Sequence, residues 1–100
     1  MEIQALLMDE KDNVVTCVKK VAAGEEVVYR CGEEYRTIQA EEDIPFCHKI
    51  ALSDLKEGDD VIKYGEMIGR TSQPILKGHW VSHNNIYSVS RDYESEFVKE

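Results

Sequence analysis

The chain has 100 residues and a formal charge of −8, a length that suits one domain with one modest core. With 42 % hydrophobic and 32 % charged residues it groups with folded soluble chains rather than disordered ones. The acidic balance argues against nucleic acid and anionic membrane surfaces as partners, and no apolar run approaches the roughly 20 residues of a membrane span.

The first segment, MEIQALLMDEKD, is acidic where a secretion signal would be basic, so a cytoplasmic location is expected. Ile3 to Met8 predicts a first strand. Asp12-Asn13 predicts a turn, and the β-branched run Val14 to Val21 a second strand. Glu26 to Cys31 and Tyr35 to Ala40, joined through Gly32-Glu33-Glu34, predict a hairpin. Glu41-Glu42-Asp43 reads as a solvated acidic loop, and Pro45 opens the next element. Asp9 and Asp12 read likewise as solvated turn residues, and no glycosidase-type carboxylate pair stands out.

One pattern recurs: apolar-x-x-Gly-x-x-Val, at Val21/Gly24/Val27, Leu55/Gly58/Val61 and Ile75/Gly78/Val81. Each Gly is expected where a short helical turn reverses into a strand through a left-handed backbone position. Ser53 to Gly58 predicts one such helical turn, capped by Ser53. Gly65 and Gly69 flank a further reversal over Glu66 to Ile68. Residues 1–90 are read as one domain, and 91–100 as a polar tail with Tyr93, Phe97 and Val98 at helical spacing.

Cys17, Cys31 and Cys47 are odd in number and lack a CxxC pair, so free thiols are expected. Only Cys47, beside His48, invites a nucleophile reading. His48-Lys49 supplies a base or ligand and a cation, or two polar residues of an edge strand. Lys63-Tyr64-Gly65 follows Val61-Ile62; on a strand Lys63 and Tyr64 would face opposite ways, Lys63 being a snorkelling or a partly desolvated cation. His79 and His83 would chelate a metal on a helix, but on the expected strand they stand over about 13 Å apart.

These residues together resemble the N-terminal domain of altronate and galactarate dehydratases, a SAF-type β-clip module. The resemblance runs from about Leu6 to Ile86. It rests on Asp12-Asn13-Val14, His48-Lys49-Ile50-Ala51-Leu52, Gly58, Val61 to Gly65, Ile68-Gly69, Gly78, Val81 and Asn85. It implies a mostly-β, SAF-like β-clip fold. It also implies the small subunit of a two-chain hydro-lyase, or of the similar sulfolactate sulfo-lyase, acting with a large catalytic subunit on an anionic hydroxy acid. A homo-oligomer is the other assembly open to it. His48, Lys49, Lys63 and Tyr64 would then be catalytic, and Asn13 and Asn85 would bind substrate. A divalent metal, Fe²⁺ or Mn²⁺, would be held mainly by the large subunit, with His83 the candidate ligand here. The chain departs from the family pattern at Asp9, Ser82 and Asn84, where histidines are expected, and at Cys47, where Gly is expected. The departures keep a second expectation open: a non-catalytic SAF-type module that binds a ligand or partner.

Overall fold

The computed structural model describes residues 2–88. Nine strands build it: β1 (Ala5–Leu6), β2 (Val14–Cys17), β3 (Glu26–Cys31), β4 (Glu34–Gln39), β5 (Lys49–Ala51), β6 (Asp60–Lys63), β7 (Glu66–Thr71), β8 (Trp80–Val81) and β9 (Ile86–Tyr87). They form a six-stranded sheet, β4-β3-β1-β2-β5-β8, and a three-stranded sheet, β6-β7-β9. Only β1 and β3 pair in parallel; the other pairs are antiparallel. The mostly-β, β-clip-like expectation holds, and no helix occurs among the described residues. None is therefore long and apolar enough to cross a membrane. The tail 91–100 lies outside the described residues.

β2 is buried at all four positions, because the large sheet carries a core on each face. Val15 and Cys17 join Val21, Val27, Ile44 and Ile50 in one core. Val14 points the other way, to Ala51, Leu55, Val61, Ile75 and Val81. That alternation along one strand is what a doubly covered sheet requires. The second core glues the small sheet to the large one. The expected long strands Ile3 to Met8 and Val14 to Val21 are shorter than the sequence suggests. The second stops at Cys17, and Val21 makes only an isolated bridge to Ile44.

The repeated Gly pattern marks a β-turn, not a helical turn. Glu25, His48, Asp59 and His79 each donate a backbone N–H three residues back, to Ala22, Pro45, Lys56 and Leu76. The third residue of each turn has positive φ: Gly24 (86°), Cys47 (72°), Gly58 (87°) and Gly78 (89°). That is the type II pattern. A lone helical turn cannot offset its nucleation cost, and here the residue before each turn is held in a bridge, Val21 to Ile44 and Leu55 to Ile75. Ser53 therefore caps no helix. Asp59 instead closes its own turn by accepting from Lys56 N (2.8 Å).

The device occurs four times, and it organises the molecule as a duplication. Residues 21–51 run bridge, turn, hairpin β3–β4, bridge, turn, β5; residues 55–81 run bridge, turn, hairpin β6–β7, bridge, turn, β8. Cys47 thus corresponds to Gly78, and His48 to His79.

Gly69 is not part of a reversal. It lies within β7, where an added Cβ would meet Tyr87 O at 2.7 Å, so the close approach of β9 requires glycine. The reversal is Tyr64-Gly65, both at positive φ (59° and 73°), a two-residue loop of the type I′ kind.

Candidate functional site

The β6–β7 hairpin is fastened to the large sheet by two adjacent side chains. Asp12 is buried, 7 % exposed. Its carboxylate accepts backbone N–H groups from Tyr64 (3.0 Å), Gly65 (2.8 Å) and Asp9 (3.1 Å). The Asn13 carboxamide accepts from Ile62 N (2.8 Å) and donates to Asp60 O (2.9 Å). Asp12 is thus no solvated turn residue. Asn13, expected to bind substrate, is engaged at both ends with the β6 backbone.

This clamp sets the tip of the hairpin. Tyr64 is 61 % exposed, and the Lys63 ammonium lies over its ring, 5.1 Å from the centroid. Lys63 and Tyr64 therefore lie together, not on opposite faces, because Tyr64 has left the strand for the loop. The β-bulge after Val61, where Ile68 is the extra residue, re-aims the end of the hairpin.

Lys49 approaches the same place from β5. The ladder bonds Cys17 N to His48 O and Leu52 N to Asn13 O make Thr16 and Lys49 a non-hydrogen-bonded pair, the closer of the two antiparallel kinds. Both face the side of Val14 and Ala51, toward the small sheet. Burial, and then the charge of Lys63, lower the Lys49 pKa from its usual 10.5. Thr16 Oγ1, buried beside Lys49's strand position, has no hydrogen-bond partner among the described residues. Sequence reasoning passed over Thr16, since nothing local marks a threonine in a β-branched run. Lys49, Lys63 and Tyr64 form one cluster at the junction of the two sheets.

His48 does not share that face. It follows the parity of Ile50, and its ring meets Trp80 edge-on at 5.1 Å and 86°. Trp80 Nε1–H donates to His48 Nδ1 (3.0 Å). Glu42 Oε2 accepts from Trp80 N (2.9 Å) and lies 3.1 Å from His79 Nδ1. Asn85, the second expected substrate ligand, folds into its own turn, accepting from Ser82 N (2.8 Å) and donating to Trp80 O (2.7 Å). His83 is exposed on that turn.

The donors do not form a metal site: among the described residues no three His, Cys, Asp or Glu side chains gather around a common point. A resident metal with three or more protein ligands would need at least one of them from outside the described residues. The three thiols are free. Cys17 is buried, which together with the Glu25 charge pushes its pKa up to about 11. A recess of about 220 Å³ is lined by Glu42, Gln73, Pro74, Ile75, Leu76, His79 and Asn85. It includes none of Lys49, Lys63 and Tyr64; of these three, Lys49 and Lys63 are partly buried and Tyr64 is exposed.

A six-stranded and a three-stranded sheet joined through a shared core make a small β-clip-like module. Residues 3–89 match the family described as altronate/galactarate dehydratase SAF domain. The chain belongs to that family. It is 38 % identical over 89 residues to the alpha subunit of (2R)-sulfolactate sulfo-lyase from Chromohalobacter salexigens, covering 86 % of this chain and 95 % of the relative. It is 36 % identical over 76 residues to altronate dehydratase from Bacillus subtilis, covering 76 % of this chain but only 14 % of that enzyme. Altronate dehydratase from Escherichia coli is 33 % identical over 89 residues, 88 % of this chain and 17 % of the enzyme.

Proposed function

We propose that this chain is the small subunit of a two-part lyase that eliminates water or sulfite from an anionic hydroxy acid to give a 2-keto acid. The observation that carries the reading is the Lys49–Lys63–Tyr64 cluster. It pairs a half-buried lysine, its pKa lowered from 10.5 by burial and then by the Lys63 charge, with a cation and an exposed phenol. Such a set suits proton abstraction next to a carboxylate. The Lys49 amine takes the α-proton, the C–H electrons form the C=C bond, and the β-substituent leaves with its bonding pair as hydroxide or sulfite. Hydroxide collects a proton and departs as water, and the enol becomes the 2-keto acid. Lys63 and Tyr64 hold the substrate carboxylate, which the overall charge of −8 would otherwise repel. The exposed Tyr64 and the near full-length match to a sulfo-lyase alpha subunit support a large partner chain that completes the site, in the cytoplasm.

Native purification of the endogenous protein, with mass spectrometry of stoichiometric partners, tests this. A large partner whose complex releases water or sulfite from a hydroxy acid is expected, and Lys63→Ala in that complex should abolish most turnover. A chain that runs alone and adds nothing to any lyase would overturn the reading in favour of a non-catalytic module, consistent with Asp9, Ser82 and Asn84 in place of the family's histidines.

A further inference from the structure

His48 and His79 occupy the same position in the two halves of the duplication, each closing a type II turn through its backbone N–H. Their rings, however, meet opposite chemistry. An indole N–H is a donor only, so Trp80 Nε1–H makes His48 Nδ1 an acceptor. A neutral ring that accepts at Nδ1 carries its proton on Nε2. Glu42 Oε2 stands 3.1 Å from His79 Nδ1, and an ionised carboxylate only accepts, so His79 carries a proton on Nδ1. Trp80 itself is held by both of its backbone polar groups. Its N–H reaches Glu42 (2.9 Å), and its C=O receives Asn85 Nδ2 (2.7 Å).

We infer that Trp80 is a positioning residue that fixes His48 as its Nε2–H tautomer. His48 therefore serves as a hydrogen-bond donor and not as a base, while Glu42 fixes the opposite tautomer at His79. Trp80 ties the two halves: its backbone belongs to the Glu42–His79 pair and its indole to His48. Glu42 and Asn85 act on His48 only through Trp80. His48 lies on the sheet face opposite Lys49, so on the lyase reading it would offer Nε2–H to a group that meets that face, leaving α-proton removal to Lys49.

The chain has three histidines, so a two-bond ¹H–¹⁵N spectrum of the full chain at mildly alkaline pH resolves the matter directly. His48 should show an unprotonated Nδ1 and a protonated Nε2, His79 the reverse, and exposed His83 the averaged pattern of a free ring. In Trp80→Phe, His48 should move to the averaged pattern. A wild-type His48 that is averaged or protonated on Nδ1, or one unmoved in Trp80→Phe, overturns the inference. Should Trp80→Phe not fold, through-hydrogen-bond coupling between Trp80 Nε1–H and His48 Nδ1 in the wild type decides, its absence being the overturning result.

Discussion

Asp12, at 7 % exposure, gathers three backbone N–H groups, one from nearby Asp9 and two from the distant Tyr64-Gly65 loop. Removing the carboxylate leaves those donors without an acceptor, and unmet buried donors cost about 1–3 kcal/mol each. Asp12→Ala is expected to lower unfolding stability by at least about 3 kcal/mol, the low end for three donors, and Asp12→Asn by about half as much because one accepting oxygen remains. Urea denaturation with an unchanged slope would check both. Lys49 makes the opposite kind of contribution. Its ammonium is disfavoured in the folded chain, first by burial and then by Lys63, so the unfolded chain binds the proton more readily. Stability therefore rises with pH between the lowered folded pKa and 10.5, and the penalty is fully present below that window. Lys49→Met should be more stable than the wild type at neutral pH, with the difference vanishing as the pH passes 10.5; parallel thermal melts across pH measure it. The sequence marked Asp12-Asn13-Val14 and Lys49 as residues of interest but not what they do. The partners of Asp12 and Asn13 on β6 and its loop lie 47 to 53 positions away, and no local pattern reports such a contact.

At the level of elements, the type II turn is the repeating part, and its third position sets a graded test. Gly24 and Gly58 have nothing within 4 Å of an added Cβ, whereas at Gly78 the Cβ would sit 2.5 Å from Gln39 O and 2.8 Å from Glu41 Cγ. Gly58→Ala should cost only left-handed backbone strain, about 1–2 kcal/mol. Gly78→Ala adds a backbone collision and should cost clearly more, giving the larger fall in melting temperature. Cys47 already carries that strain at φ 72°. Cys47→Gly should therefore stabilise by up to about 1 kcal/mol, the relief exceeding the extra chain entropy of glycine; calorimetry would read it as a higher melting temperature. Three of the four turns were legible as glycines at fixed spacing. The fourth was hidden because Cys47 stands where the pattern has Gly. The turn type was misread because a type II turn and a helix end both want glycine at a left-handed position. Only the bridges Val21–Ile44 and Leu55–Ile75, formed across the fold, separate the two. The β3–β4 hairpin, by contrast, was readable in place, since its turn residues and its alternating strands are contiguous.

Over the whole molecule, the duplication brings together two lysines, one on β5 and one at the end of β6, that the sequence holds 14 positions apart. Their convergence was expected from the family resemblance but not from periodicity, because a strand reading turns Tyr64 away from Lys63. The bulge and the Tyr64-Gly65 loop reverse that. The coupling of the two charges makes the lysine pair testable as a unit in the assembled lyase. If Lys49 is the base, turnover requires its amine form, so the rate rises with pH through the Lys49 pKa. The Lys63 charge is the second cause, after burial, that holds this pKa down. Replacing it with neutral Met removes like-charge repulsion, raises the Lys49 pKa and moves the rising limb of the profile to higher pH. Added salt should move the wild-type limb in the same direction by screening the pair, and should leave the Lys63→Met limb in place. Burial is the larger cause of the shift, so the limb in Lys63→Met should still lie below that of an ordinary lysine. A limb that ignores both salt and Lys63→Met would mean that some group other than Lys49 takes the proton.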